Sequence, residues 1–299
     1  MDRRMLVATN GGPGSMGALR MALTLTRRGA KPALVVTVQE PVTIYDMMTV
    51  GGMAQEQLDV EKVISRQLRE TVEAQLREVG ADAADWEIRV EVGSPAAVIA
   101  DAARYYGIDL ILLGLGRHGV PERWLGGETA LRVMQLAHVP VLAVHPEAGA
   151  LPQRVLVADD FGDLGREAGL TAMDLLAPGG AVHLAHVVAM PGAIEGELLA
   201  TDWIDEYLAA ARSQLDGRRQ ELETAIGTAV RGHALQGDPA SELLRLAEET
   251  DADLIAAGRH GRGFLGRLVM GSVSTRLVRG AKCSVLIVPP GAAQGNTGS

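Results

Sequence analysis

Residues 253–290 read DLIAAGRHGRGFLGRLVMGSVSTRLVRGAKCSVLIVPP, and residues 109–146 read DLILLGLGRHGVPERWLGGETALRVMQLAHVPVLAVHP. Laid over one another without a gap, at a constant offset of 144, they agree at thirteen of 38 positions. Each opens with a short apolar run, passes through a glycine-bearing loop into a helical segment, and closes with a β-rich run ending in proline. That order predicts strand, loop, helix and strand, and its recurrence predicts a chain written twice.

The duplication extends upstream. MLVATN (5–10) and VLVADD (155–160) are both β-rich runs that end in a polar turn, followed by amphipathic stretches at 18–26 and 166–176. Second strands follow at 33–39 (ALVVTVQ) and 181–188 (AVHLAHVV), then long charged helical segments near 54–79 and 202–225. In GSPAAVIADAA and GDPASELLRLA, Ser94 and Asp238 have the character of N-caps with proline at the first helical position. Strands alternating with helices predict the α/β class: two tandem doubly wound, Rossmann-like domains, each a mostly parallel sheet covered on both faces. The first is expected over 1–148 and the second over 152–291. The joint falls in HPEAGALPQR (145–154), and residues 292–299 are expected to be a disordered tail.

Composition agrees with two ordinary cores in 299 residues, 47% of them apolar and 22% charged. No apolar run reaches the roughly 20 residues that span a bilayer, so no membrane partner is expected. The start, MDRRMLVATN, has too short an apolar segment for a secretory signal, which predicts a cytoplasmic protein. A net charge of −9 and an isoelectric point near 5.3 argue against nucleic acid as a partner. The single cysteine, Cys283, excludes an internal disulfide and a Cys-rich metal site, and reads as a small core hydrophobe.

The chemistry concentrates at GRHGRGFLGRLVMGS (258–272). In sheets of this kind ligands bind beyond the carboxyl ends of the strands, where strand order reverses. Gly258 and Gly261 leave backbone N–H groups uncovered and can take positive φ. Gly271 and Ser272 open the next helix, whose free N–H groups and partial positive charge suit an anion; the Ser272 hydroxyl is a further donor. Arg259, His260, Arg262 and Arg267 add donors around the loop.

The spacing Gly258, two residues, Gly261, nine residues, Gly271-Ser272 resembles the nucleotide-binding motif of the universal stress protein family. VLVADD with Asp160, AVHLAHVV with Val187, GDPASELLRLAEETDADLI and CSVLIVPP are similar to that family's other landmarks. The resemblance covers 154–290 and, more loosely, 4–146. It implies five-stranded sheets of order 3-2-1-4-5. It also implies that adenine nucleotide is bound, with ATP, with or without magnesium, as the cofactor. Ala158 and Asp160 would meet the adenosine and the Val187 main chain the adenine. Gly258, Arg259, His260, Gly261, Arg262, Gly263, Gly271, Ser272, Val273 and Ser274 would hold the ribose and phosphates. It further implies an intramolecular pseudo-dimer in which VPVLAVH and CSVLIVP meet at a pseudo-twofold axis; whether two such chains form a homodimer is left open. The function implied is nucleotide-dependent stress signalling through a protein partner that the sequence does not name.

The first copy departs from this motif. At the same offset Gly258 falls on Gly114 and Gly271 on Gly127, but Gly261 falls on Arg117 and Ser272 on Glu128. A carboxylate at a helix N-terminus already satisfies the dipole and repels an anion there. Sliding the register to Gly116–Gly119 leaves seven residues before Gly127 rather than nine. Asn10 replaces the terminal Asp. The second copy is therefore expected to bind nucleotide and the first mainly to build the assembly. TNGGPGSMG (9–17) resembles the PP-loop of ATP pyrophosphatases through Gly11, Gly12 and Ser15, but Gly14 stands where that loop has an acid. A flexible turn is the plainer expectation.

The remaining polar residues carry weaker signals. Asp159 and Asp160 point to opposite faces of a strand, so one is expected near the nucleotide and the other in solvent. His183 and His186 likewise diverge and do not make a metal pair. The tryptophans Trp86, Trp124 and Trp203 are too scattered to stack on bases. Met47, Met48 and Met53 could serve a partner or pack on their own domain. No Walker lysine sequence and no nucleophile with a companion base is present, so binding with at most slow turnover is expected and no catalytic residue is assigned. Two alternatives stand: an ATP-hydrolysing or adenylyl-transferring enzyme using Arg262 and Asp160, and a nucleotide-free interaction module.

Overall fold

The computed structural model describes residues 3–39, 54–115, 127–189, 201–261 and 270–291. The chain divides into two compact units, Met1–Ala150 and Leu151–Ser299. In the first, strands β1 (Arg4–Ala8), β2 (Lys31–Gln39), β3 (Glu87–Val92), β4 (Leu110–Gly114) and β5 (Val141–Val144) form a parallel sheet of order β3-β2-β1-β4-β5. In the second, β6 (Arg154–Ala158), β7 (Ala181–Ala189), β8 (Val230–Gly237), β9 (Leu254–Gly258) and β10 (Ser284–Val288) repeat that order as β8-β7-β6-β9-β10. The expected 3-2-1-4-5 arrangement is present in both.

Register reproduces the duplication residue by residue. Leu6 pairs with Ile111 in the first unit and Leu156 with Ile255 in the second. Central strands are apolar without alternation because helices cover both faces: Met5, Leu6 and Val7 are fully buried, as are Ile255 and Ala256. At the borders, β3 carries Glu87, Arg89 and Glu91 on a largely exposed strand, a composition that discourages pairing with a further strand.

The helices of the first unit are α1 (Met16–Arg27), α2 (Ala54–Glu78), α3 (Pro95–Tyr105) and α4 (Gly127–Leu136). Those of the second are α5 (Asp163–Met173), α6 (Thr201–Ile226), α7 (Pro239–Glu249) and α8 (Ser272–Gly280). Asp238 caps α7 by accepting from the Ser241 N–H at 2.9 Å. Ser94 occupies the N-cap of α3 but makes no side-chain capping bond there, so only one of the two expected caps acts through its side chain. No helix among the described residues is long and apolar enough to cross a membrane. Met47, Met48, Met53, Trp124 and residues 292–299 lie outside the described residues.

Cys283 sits half-buried just before β10. Burial, reinforced by the negative charge of Asp253, pushes its thiol up to about 12. Reactivity belongs to the thiolate. At mildly alkaline pH native protein is therefore expected to resist a thiol-specific chromogenic reagent, while protein in guanidinium releases one equivalent at once. Rapid reaction of the native chain would contradict the burial.

Candidate functional site

The carboxyl ends of β6, β7 and β9 and the N-terminal turns of α7 and α8 enclose a cleft of about 630 Å³. Ala158, Ala185 and Ala257 keep the strand ends low; Pro239, Leu243 and Met270 supply apolar walls; Asp160, His186, His260 and Ser272 supply polar groups. A mostly apolar cleft with few convergent polar groups is the usual form of a small-molecule site.

Of the thirteen residues anticipated from sequence, ten line this cleft: Ala158, Asp160, Val187, Gly258, His260, Gly261, Gly271, Ser272, Val273 and Ser274. Arg259 does not. It is 6% exposed, and burial lowers the pKa of its guanidinium, so it is no surface cation awaiting an anion. It works through its main chain instead. Its N–H donates to the Val288 carbonyl at 2.8 Å, and its carbonyl accepts from the Gly271 N–H at 2.9 Å. That second bond brings the beginning of the glycine loop against the head of α8. Arg262, Gly263 and Arg267 lie outside the described residues. Sequence reasoning passed over Asp159, Ala185, His186, Pro239, Leu243, Ala257 and Met270 as lining residues.

Gly258 and Gly271 are required by the chain's own packing. None of Gly258, Gly261 and Gly271 lies at positive φ, contrary to the conformational freedom anticipated for them. A Cβ on Gly258 would lie 2.6 Å from the Cβ of Leu164, and one on Gly271 would lie 3.2 Å from the His260 Cα. Neither neighbour can swing aside, being backbone or the first side-chain atom. Gly258→Ala is expected to cost about 1–3 kcal/mol through overpacking, read as a lower urea midpoint with unchanged slope. A midpoint equal to wild type would mean that Leu164 yields freely.

Helix α8 starts without a side-chain cap. Gly271 is its N-cap, and the first intrahelical bond runs from the Thr275 N–H to the Gly271 carbonyl at 2.9 Å. Ser272, Val273 and Ser274, the first turn, border the cleft, so the positive end of the helix faces into it. The buried Ser274 hydroxyl donates to the Gly258 carbonyl at 2.8 Å and thereby ties α8 to the end of β9.

Opposite lies the turn after β6. Asp160 accepts from the Gly162 N–H at 3.0 Å through Oδ1, while its Oδ2 would lie 3.1 Å from a Cβ on Gly261. Asp160 therefore reaches the glycine loop. Asp159, expected in solvent, is 4% exposed. Its Oδ1 accepts from the Phe161 N–H at 2.8 Å, and its Oδ2 forms an ion pair with Arg218 Nε of α6 at 3.0 Å. Burial raises the Asp159 pKa, opposed by Arg218 and the Phe161 N–H. Phe161 has φ 62°, a left-handed backbone unusual for a bulky residue. Its ring stacks on His186 with centroids 4.0 Å apart.

His186 Nδ1 lies 2.8 Å from the Asp159 carbonyl, which as an acceptor requires the proton on Nδ1 and leaves Nε2 as an acceptor in the neutral ring. His183, on the other face of β7, meets His233 instead at 2.9 Å. His260 is held below the usual imidazole pKa by burial and by the Arg259 charge, with Asp160 pulling the other way. It therefore offers a neutral ring to the cleft at neutral pH.

A model described as the universal stress protein family matches residues 1–145 and again 152–289. The chain belongs to the universal stress protein family. Among its relatives, a universal stress protein of Methanocaldococcus jannaschii is 28% identical over 140 residues, covering 46% of this chain and 82% of its own. A crystal structure of a universal stress protein from Archaeoglobus fulgidus matches 96% of this chain and 98% of its own with TM-score 0.67 and 22% identity. A universal stress protein crystallised in complex with cAMP matches 46% of this chain and 98% of its own, with 25% identity and TM-score 0.37.

Within this universal stress protein the first domain closes the corresponding turn on itself. Pro13–Ser15 form a 3₁₀ turn. Thr9 and Ser15 hydroxyls lie 2.7 Å apart, Thr9 donates to Gln75 Oε1 at 3.0 Å, and Gln75 Nε2 donates to the Gly12 carbonyl at 3.0 Å. Thr9, Ser15 and Gln75 are all buried. The stretch is thus a braced turn rather than a flexible one, and its serine faces its own domain rather than a phosphate. A Cβ on Gly114 would lie 2.2 Å from the Gly14 carbonyl, so this turn occupies the position that Leu164 takes beside Gly258. Glu128 stands exposed in the first turn of α4. Residues 116–126, which include Arg117 and His118, lie outside the described residues.

Proposed function

We propose that the second domain binds ATP in the cleft at the ends of β6, β7 and β9, and that the protein acts as a nucleotide-dependent stress-signalling protein with at most slow hydrolysis. The observation that carries this reading is the bond from the Gly271 N–H to the Arg259 carbonyl. It sets the uncapped head of α8 beside His260 and Gly261, and in this reading amides of the helix head and of the glycine loop would converge on one anion. The adenine would lie against Ala185, Leu243 and Met270, with the Val187 main chain for its edge and Asp160 for the ribose. The volume suits a ligand of that size.

Among the described residues no group of three His, Cys, Asp or Glu could hold a metal. Fast phosphoryl transfer needs cation clamps and an oriented water. With Arg259 buried and Asp159 paired to Arg218, the described cleft offers neither a cation clamp nor a second carboxylate to act as base. The domain then works by binding: nucleotide occupancy of the cleft alters a surface that a partner reads. The first domain, with Glu128 at the matching helix, would serve assembly.

The test is to denature freshly purified protein and chromatograph the supernatant, then titrate nucleotide-free protein with ATP, ADP and cAMP by calorimetry. Released adenine nucleotide or heat on ATP addition is expected. An empty supernatant together with no heat from any of the three overturns the reading in favour of an interaction module. Multiple turnovers of ATP within minutes would overturn the slow-hydrolysis part.

A further inference from the structure

The two domains fill one buried position with different chemistry. In the first, Thr9, Ser15 and Gln75 make a neutral cluster behind the turn after β1. In the second, the matching places hold Asp159, Gly165 and Arg218. Asp159 pairs with Arg218 at 3.0 Å, with side chains 1% and 17% exposed. The replacements are concerted: a Cβ on Gly165 would lie 2.3 Å from Asp159 Oδ1, so the serine of the first domain could not accompany the aspartate. Both long helices also hold the turn by its fourth residue. Gln75 donates to the Gly12 carbonyl at 3.0 Å, and Arg218 Nη2 donates to the Gly162 carbonyl at 3.3 Å.

Burying a charged pair has a desolvation cost that a neutral cluster avoids, and the first domain demonstrates that a neutral cluster fits. The difference lies two residues beyond Thr9 and Asp159. Gly11 takes φ 79° and Phe161 takes φ 62°, a conformation free of steric cost for glycine and strained for phenylalanine. Hydrogen bonds to charged groups are roughly twice as strong as neutral ones, and both the Phe161 N–H bond to Asp159 and the Arg218 bond to the Gly162 carbonyl are of that kind, so the stronger restraint occurs where the backbone resists. That strained turn carries the cleft groups: Asp160 reaching Gly261, and Phe161 stacked on His186.

We propose that the Asp159–Arg218 ion pair is a positioning pair for the cleft, locking the 159–162 turn so that Asp160 and the Phe161–His186 stack hold their places for ligand. This rests on the nucleotide reading for its affinity consequence but not for its structural one, and two measurements separate them. The first domain's set is transplanted as Asp159→Thr, Gly165→Ser and Arg218→Gln, alongside Arg218→Lys and Asp160→Asn. Hydrogen exchange of the peptide bearing the Phe161 and Gly162 amides is measured without nucleotide, and ATP affinity is measured by calorimetry.

The transplant is expected to fold cooperatively, exchange those amides at least tenfold faster and bind ATP about tenfold more weakly. Adding Asp160→Asn to it should cost much less than the same change in wild type. Arg218→Lys should recover part of both effects, and it keeps the test valid if the transplant fails to fold. Unchanged exchange in both Arg218 variants overturns the proposal, as does normal affinity with fast exchange. Fast exchange in a protein whose wild type binds no nucleotide leaves the pair as a lock and overturns the nucleotide reading alone.

Discussion

Ser272→Glu is expected to weaken ATP binding by at least about 100-fold while leaving the protein no less stable. The substitution copies Glu128 of the first domain into the first turn of α8. A carboxylate there satisfies the helix dipole, which favours the fold by about 0.3–1 kcal/mol. The same carboxylate opposes a phosphate, and like charges brought together at a binding site cost several kcal/mol. Stability and affinity therefore move in opposite directions, which general damage to the domain would not produce. Adenosine, lacking phosphate, should bind wild type and variant alike. Calorimetric titrations and melting curves of both proteins check this, and equal ATP affinity in the two would remove the helix head from the site.

The second large effect concerns stability. Arg218→Met should destabilise the second domain by about 3–5 kcal/mol near neutral pH, because removing one partner leaves the other charge buried alone. Burial already holds the Asp159 pKa above the ordinary carboxylate value despite Arg218. Between the unfolded and folded values the native chain keeps a proton that the unfolded chain releases, so stability falls as pH rises through that window. Without Arg218 the principal opposing influence disappears and the window widens upward. The deficit of the variant should accordingly shrink in mildly acidic buffer and grow towards neutrality. Urea melts across that range measure it. A deficit independent of pH would mean that Arg218 acts by packing alone.

The tandem alternation of strands and helices and the long charged helices were legible because each depends on local periodicity or on a repeat within one chain; strand order rests on pairing between distant segments and came only with the family resemblance. Among the ten cleft residues, Gly258, Gly261, Gly271 and Ser272 were legible from their spacing around a strand end and a helix head, whereas Ala158, Asp160 and Val187 were carried by the family resemblance. What escaped the sequence depends on partners distant along the chain. Gly258 is glycine because of Leu164, not because a ligand or a positive φ requires it. Asp159 is buried because Arg218 arrives from α6, so the alternation rule sent it to the right face but to the wrong surroundings. Arg259 looked like a surface cation because its neighbours are polar, yet the sheet continues through its main chain and carries the side chain inward. His186 read as an ordinary strand residue until the turn placed Phe161 upon it.

The central claim is that amides at the head of α8 and near residue 260 take up the phosphates of one nucleotide. Its most direct measure is the ratio of ATP to adenosine affinity for nucleotide-free wild-type protein, titrated under identical conditions. ATP is predicted to bind at least about tenfold more tightly, the equivalent of 1.4 kcal/mol assigned to the phosphates. Equal affinities, or heat from adenosine alone, would contradict the account.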